Sequence, residues 1–366
     1  MSLINLAQIK DGVSLAERVA VLEQLLGKLD VKVFPPVHVM GMVLAEEGGG
    51  AGTWVRVNQN FETVDFNPEH GTWAGMHTVN NDTYGEFVEI PVTYVKTETL
   101  TDGLYAGKNC WWTADGPVDG FHVHPAFIGQ DGQPHNLQIS SWMVSEVDSS
   151  ISEEGLYIPG KPKSINMSEL LDFWGEMSYN ELHAKGWMTD GVRPYNIYDH
   201  HFLVRLMLTE FGTPDIQLQT VNGISWDGSN RTNYHGIHDP FGLPNYDGYI
   251  RLDGLTTVNG TYQVLAADGS LSMVETNKTT PSMIGWIVSC YVGQVNGVDL
   301  GDLFLVSATD SSDNLGSFAD VYAVRLNGAF RTYWAQGDDF GAFFIGGDDL
   351  DYSDRNVGWR ISRCAD

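Results

Sequence analysis

The sequence predicts an α+β protein: loop-rich β structure carrying two helices, behind a short N-terminal coiled-coil helix and a β-rich segment. Three observations predict it. Glycine supplies 41 of 366 residues and only 18% of residues are charged, which favours loop-rich β structure over a helical bundle. Most apolar residues fall in short runs punctuated by Gly and Pro. Helical spacing is confined to three stretches, opening at Ser14, Ser168 and about Ile197. The length and the 42% hydrophobic content suffice for a sizeable core and two or three domains. The expected division is residues 1–34 as an N-terminal oligomerisation helix, 35–88 as a β-rich connector, and 89–366 as the main domain.

Ser14 is a good N-cap, and Glu17 three residues on completes a capping box. Leu15, Val19, Leu22, Leu26 and Leu29 follow at spacings of four, three, four and three, the seam of a coiled coil about two heptads long. Two heptads are marginal in water, so a larger body is expected to help hold the oligomer. A helix packed on its own domain is the alternative. The seam does not separate dimer from trimer. Phe34-Pro35-Pro36 ends the helix.

Strand-like runs begin at Trp54, and the run from Phe87 to Val95 contains Pro91, which suits an edge or a bulge. Ser168 caps a helix carrying Leu170, Leu171, Trp174 and Met177, with Gly186 as its terminator. The next helix spans about Ile197 to Phe211. It is apolar nearly all round, so it is expected to be deeply buried, and Gly212 and Pro214 stop it. After Gln219 the chain is glycine-rich and strand-like again.

The net charge of -27 argues against nucleic acid, whose phosphates require clustered Lys and Arg. It is compatible with cations or neutral sugars. Three cysteines without a CxxC pair, Cys110, Cys290 and Cys364, argue against a disulfide framework or a structural zinc site. No basic-then-apolar leader opens the chain, and the apolar segment 283–292 is too short to span a bilayer, so no membrane insertion is expected. No Walker loop, dinucleotide fingerprint, GxSxG elbow or HExxH motif occurs. His122 and His124 sit two apart, as in half of a metal site, but a third ligand is missing, and a structural role is expected instead. His235 and His238 beside Asp239 form a weak local metal candidate. Adjacent His200 and His201 could not easily share one ion. Glu153 and Glu154 read as solvated acids.

Residues 328–360 concentrate aromatic and acidic side chains between short apolar runs. Tyr333, Trp334 and Phe340 stand there with six aspartates between Asp338 and Asp354. Aromatic rings with polar neighbours are the chemistry of recognition surfaces. The alternative is that the rings complete the C-terminal core.

Several blocks also match a known family: EIPVTYVK (89–96), PVDGFHVHPAFI (117–128), Gly186-Trp187, FLVRLMLTEFGTPDIQ (202–217), NYHGIHDPFG (233–242) and GAFFIGGDDLDYSDRNVGWRIS (341–362). In this order they resemble the C-terminal region of bacteriophage and prophage tail-fibre or receptor-binding proteins. Those proteins have a C-type-lectin-like fold, shared with formylglycine-generating enzymes and the variable proteins of diversity-generating retroelements. The resemblance implies that 89–366 is a C-type-lectin-like domain with two helices around an irregular antiparallel sheet. It implies a structural end-strand at Gly358, Trp359 and Arg360. It also implies a ligand face at Tyr333, Trp334, Asp338, Asp339, Phe340, Asp348, Asp349, Asp351, Tyr352 and Asp354. The chain departs from the pattern at Leu243-Pro244-Asn245-Tyr246, where relatives often carry a tryptophan-rich segment. Cys290 and Cys364 are too isolated to match the reactive pair of the sulfatase-activating enzymes.

The expected function is therefore that of a phage tail adhesin, not an enzyme. It would be assembled in the host cytoplasm, sit in the virion tail as a homo-oligomer, here expected to be a trimer, and contact other tail proteins and a bacterial glycan or surface protein. Rings would stack on sugar faces and aspartates would accept hydroxyl hydrogen bonds. Aspartate clusters can also hold Ca²⁺, although no cofactor is assigned. A structural virion protein and a glycan-acting or oxidase-like enzyme are the alternatives.

Overall fold

The computed structural model describes residues 36–142, 144–147, 150–151, 157–158, 161–164, 191–216, 233–241, 249–323, 328–333, 343, 345–348 and 357–365. The chain divides into two compact units, Met1–Val37 and His38–Asp366. Three larger sheets build the second unit. The first has five strands, all antiparallel, in the order Thr53–Val57, Val39–Glu46, Asn109–Ala114, Tyr94–Thr99 and His122–Val123.

The second sheet has seven strands. Its C-terminal strand, Ile361–Ala365, lies between Val192–Pro194 and Asn136–Ser140, and Asn136–Ser140 then pairs with Gly85–Ile90. The third has nine strands. Tyr249–Val258 pairs there with Thr261–Leu265 and with Gly328–Tyr333, and Gly328–Tyr333 pairs with Ile345–Asp348.

The helix Ile197–Phe211 is the element that the three sheets share. Asn196 starts it with a capping box: its side chain accepts from the Tyr198 and Asp199 amides, and Asp199 accepts from the Asn196 amide. Gly212 ends it in the left-handed region at φ 70°, where glycine carries no Cβ penalty. Arg56 Nε and Nη2 donate to the last-turn carbonyls of Thr209 and Glu210, satisfying groups the helix leaves open. Every residue from Ile197 to Thr209 is buried, as the all-round apolar pattern requires.

Polar contacts tie this helix to each sheet. Asp199 accepts from Arg193 at 2.7 Å and from Ser362 Oγ at 2.6 Å in the seven-stranded sheet. Tyr198 Oη donates to the Leu265 carbonyl in the nine-stranded sheet, and Arg205 donates to the Trp112 carbonyl in the first. One hydrophobic core surrounds it, drawing Met42, Trp111, Ile139, Leu252, Val264 and Phe330 from all three sheets.

The α+β class with two helices around one irregular sheet, and the C-type-lectin-like arrangement it implied, is corrected by the structure. Among the described residues strands greatly outnumber helical residues, and they form several separate sheets. Among the described residues the helices are Ile197–Phe211, as expected, and a single turn at Gly71–Ala74 that was not anticipated. Most strands are only two to six residues long, which leaves little period to read, so the β content was underestimated. Among the described residues no coiled coil is evident. The seam residues Leu15, Val19, Leu22, Leu26 and Leu29, and the helix expected at 168–186, lie outside the described residues.

The expected boundary after residue 88 falls inside the strand Gly85–Ile90. Pairing crosses it, since Val39–Glu46 bonds to Asn109–Ala114. Of the expected end-strand only Gly358 is in a strand, the two-residue Val357–Gly358; Trp359 and Arg360 lie between it and Ile361–Ala365, both buried, and Arg360 donates to the carbonyls of Ser140, His238 and Asp239. Among the described residues no helix is long and apolar enough to cross a membrane.

Candidate functional site

Two short turns and one strand edge converge beside the central helix. His122–Val123 adds to the edge of Tyr94–Thr99, with His122 opposite Val95. The chain then makes a 3₁₀ turn at Pro125–Phe127, capped by His124, whose Nδ1 accepts from the Ala126 amide. Facing it is a second 3₁₀ turn, Leu300–Asp302, capped by Asp299, whose carboxylate accepts from the Gly301 amide at 2.9 Å. A Cβ at Gly301 would stand 2.3 Å from the Thr97 Cβ, so only glycine lets this turn lie against the strand.

Asp302 is fully buried between two partners. His122 Nε2 stands 2.6 Å from its Oδ2, and Arg205 Nη2 donates to Oδ1 at 3.0 Å. The same Arg205 nitrogen reaches Thr97 Oγ1 and the Gly301 carbonyl, and its guanidinium lies over the Phe304 ring. Phe304 holds a left-handed backbone at φ 43°. For an aromatic residue that costs on the order of 1–3 kcal/mol, which its stacking on Trp111 and edge contact with Phe343 offset.

The electrostatics follow from this geometry. Burial disfavours the charged His122 imidazolium, but the hydrogen bond and charge of Asp302, helped by Asp299, outweigh it and raise its pKa. Burial would raise Asp302; the bond from His122 and the charges of Arg205 and His122 hold it below the usual carboxylate range. Burial and the charge of Asp302 raise Asp299. His124 is fully buried, and desolvation pushes it down to about 3, so it is neutral.

His122 keeps 38% of its side chain exposed and lines an open cleft of about 340 Å³ with Pro125, Ile128, Gln294, Asp299 and Asp302. Nε2 is committed to Asp302, which leaves Nδ1 for what enters. The cleft thus offers an imidazole edge, a carboxylate of raised proton affinity and an amide beside apolar walls. These groups can exchange hydrogen bonds with neighbouring hydroxyls, or pass a proton.

The sequence-predicted ligand face is placed only in part. Tyr333 ends its strand opposite Tyr249, and Val357 pairs with Tyr249 on the other side, so Tyr333, Tyr249 and Val357 form one row. Asp348 pairs with Ala329, four residues from Tyr333. The two therefore stand at opposite ends of the paired strands, separated by about 13 Å along the strand direction. Trp334, Asp338, Asp339, Phe340, Asp349, Asp351, Tyr352 and Asp354 lie outside the described residues, as do Glu153 and Glu154. Phe330 and Phe343 are buried in the core.

The histidine candidates separate. His235 Nε2 meets Glu210 at 2.9 Å, whereas His238 stacks on Trp142 with ring centroids 3.6 Å apart. His200 and His201 are both buried on the helix. Among the described residues no group of three or more His, Cys, Asp or Glu could hold a metal ion. Cys110, Cys290 and Cys364 are free thiols, each raised above its ordinary pKa chiefly by burial.

Sequence reading missed Arg205, Asp299 and Asp302. One signal was present: a lone arginine in the apolar run Phe202–Leu208 requires a buried carboxylate. Its partner, 97 residues away, carried no mark of its own. No family model matches the sequence, and the search of curated proteins finds no match.

Proposed function

We propose that the chain is a host-attachment protein of a phage tail, and that the cleft beside His122 takes a hydroxyl-rich bacterial surface glycan. The carrying observation is the anchored His122 edge facing Asp299. Asp302 and Arg205 fix the imidazole from behind, so donor and acceptor groups are positioned before a ligand arrives, which lowers the cost of binding. Pro125 and Ile128 supply apolar surface for the C–H faces of a sugar. The net charge of -27 suits a neutral glycan better than an anionic one. The tail assignment rests on the sequence blocks that resemble phage receptor-binding proteins. In this reading the chain works as a homo-oligomer, whose copies turn weak single contacts into avidity. The aromatic and acidic residues from Tyr333 to Asp354 belong to the same proposed receptor surface.

The test is binding of the full chain to a panel of bacterial surface polysaccharides. The reading expects at least one to bind and Asp299→Asn to weaken it. A panel without a binder would count against it.

A glycan-acting enzyme is the second reading, because an imidazole held by a buried carboxylate is also the arrangement of a general base. Incubation with the bound polysaccharide separates the two: shortened chains favour the enzyme, and intact chains favour the adhesin.

A further inference from the structure

A second cleft, of about 200 Å³, lies where the start of Val39–Glu46 and the end of Asn109–Ala114 meet the loop before Gly71–Ala74. Its charged side chains are one-signed. Asp65 and Asp115 line it, and neither Lys nor Arg does. The cation that acts on Asp65 electrostatically, Arg56, is committed to the carbonyls of Thr209 and Glu210. Asp115 spends Oδ1 on the His38 amide at 2.8 Å. Thr113 lines the cleft with 2% of its surface exposed, and its Oγ1 has no hydrogen-bond partner. A buried hydroxyl without a partner costs free energy until something supplies one. The rings of His38 and His70 lie 4.5 Å apart, and Val64, Trp73 and Ala114 make the walls apolar. Trp73 is fixed by its Nε1 donating to Tyr234 Oη.

Two carboxylates and an unmet hydroxyl among apolar and ring walls suit one kind of ligand. We propose that this cleft binds a small organic ammonium, a primary amine on a compact ring or aliphatic body. The three N–H donors of such a group match the three acceptors at Asp65, Asp115 and Thr113. The body packs against the apolar walls, and the positive charge meets the two carboxylates. An amino sugar and a lysine side chain both carry this chemistry.

The experiment titrates the full chain with glucosamine, N-acetylglucosamine, Nα-acetyl-lysine amide and its Nε-acetylated form, reading ligand-observed NMR saturation transfer at low salt. At least one free amine is expected to bind, and its acetylated counterpart at least about tenfold more weakly. Asp65→Asn is expected to weaken the amine by a similar factor, and added salt to weaken it further. Asp65 makes no hydrogen bond within the described structure, so D65N should fold normally, which circular dichroism checks. Tighter binding of glucosamine would identify an amino sugar, and tighter binding of the lysine amide a protein side chain. Equal binding of amine and amide, an unchanged D65N, or no amine bound at all would each overturn the proposal. None of these outcomes bears on the His122 cleft, whose residues are different.

Discussion

His122 Nε2 and Asp302 Oδ2 stand 2.6 Å apart although 180 residues separate them in sequence. Arg205 closes the arrangement from the central helix, so Asp302 balances two positive groups in a site it enters fully buried. Asp302→Asn would leave the Arg205 guanidinium with neutral partners only. Breaking a buried pair in this way is expected to cost about 3–5 kcal/mol, measured as a lower denaturation midpoint. A loss below about 1 kcal/mol, the scale of an exposed pair, would show that the charge is not needed there.

The same pair makes stability depend on pH in a definite sense. The folded pKa of His122 is raised above its ordinary 6.5, so its stabilisation is full below 6.5 and lost as pH rises through the raised value. Asp302 is shifted below 3.8, so its contribution is present above 3.8 and lost as pH falls through the lowered value. Asp299 moves the other way. Raised above 3.8, it favours folding below 3.8 and loses that as pH rises through its own folded value. Heating scans across the pH range above 6.5 should therefore show the wild type losing more stability than His122→Gln. Parallel curves for the two proteins would contradict the raised imidazole.

Gly301 lets the turn that carries Asp302 lie on the strand that carries Thr97. In Gly301→Ala the new methyl would stand 2.3 Å from the Thr97 Cβ, and the turn must move. A destabilisation of about 1–3 kcal/mol is expected, as for other overpacked sites. Because the Gly301 carbonyl also accepts from Arg205, the His122 cleft should loosen with it. Weaker polysaccharide binding alongside the lower melting temperature is the combined readout.

Asn196 is 3% exposed and caps the helix that all three sheets share. Asn196→Ala leaves the Tyr198 and Asp199 amides without their acceptor, which is expected to cost about 1–2 kcal/mol. Asn196→Ser should recover much of it, since serine accepts at the same position. Equal losses in both variants would mean that the cap is not what anchors the helix.

These elements differ in how far the sequence announced them. Ile197–Phe211 was legible because its apolar residues and the Gly212 and Pro214 that follow all pointed to one helix. The sheets were less so. The His122–Val123 strand is two residues long, and Ile361–Ala365 finds both neighbours far back in the chain, so pairing rather than local pattern defines them. His122 drew notice for its spacing to His124, yet the two side chains have different partners: one grips Asp302, and the other caps a turn. Tyr333 and Asp348 read as one face, but their strands run antiparallel in a register that sets them at opposite ends. Register is a property of two strands at once, and a single sequence does not display it.

Asp299→Asn isolates the cleft from the fold. Asparagine can still accept the Gly301 amide, and it removes a carboxylate whose ionisation burial and Asp302 already oppose, so the melting temperature should hold or rise slightly. The decisive measurement is the dissociation constant of the full chain for the bacterial surface polysaccharide it binds best, compared between wild type and D299N. A loss of about tenfold or more, equivalent to one good hydrogen bond to a charged group, is the predicted result. An unchanged constant in a folded D299N would contradict the assignment of the His122 cleft as the glycan site.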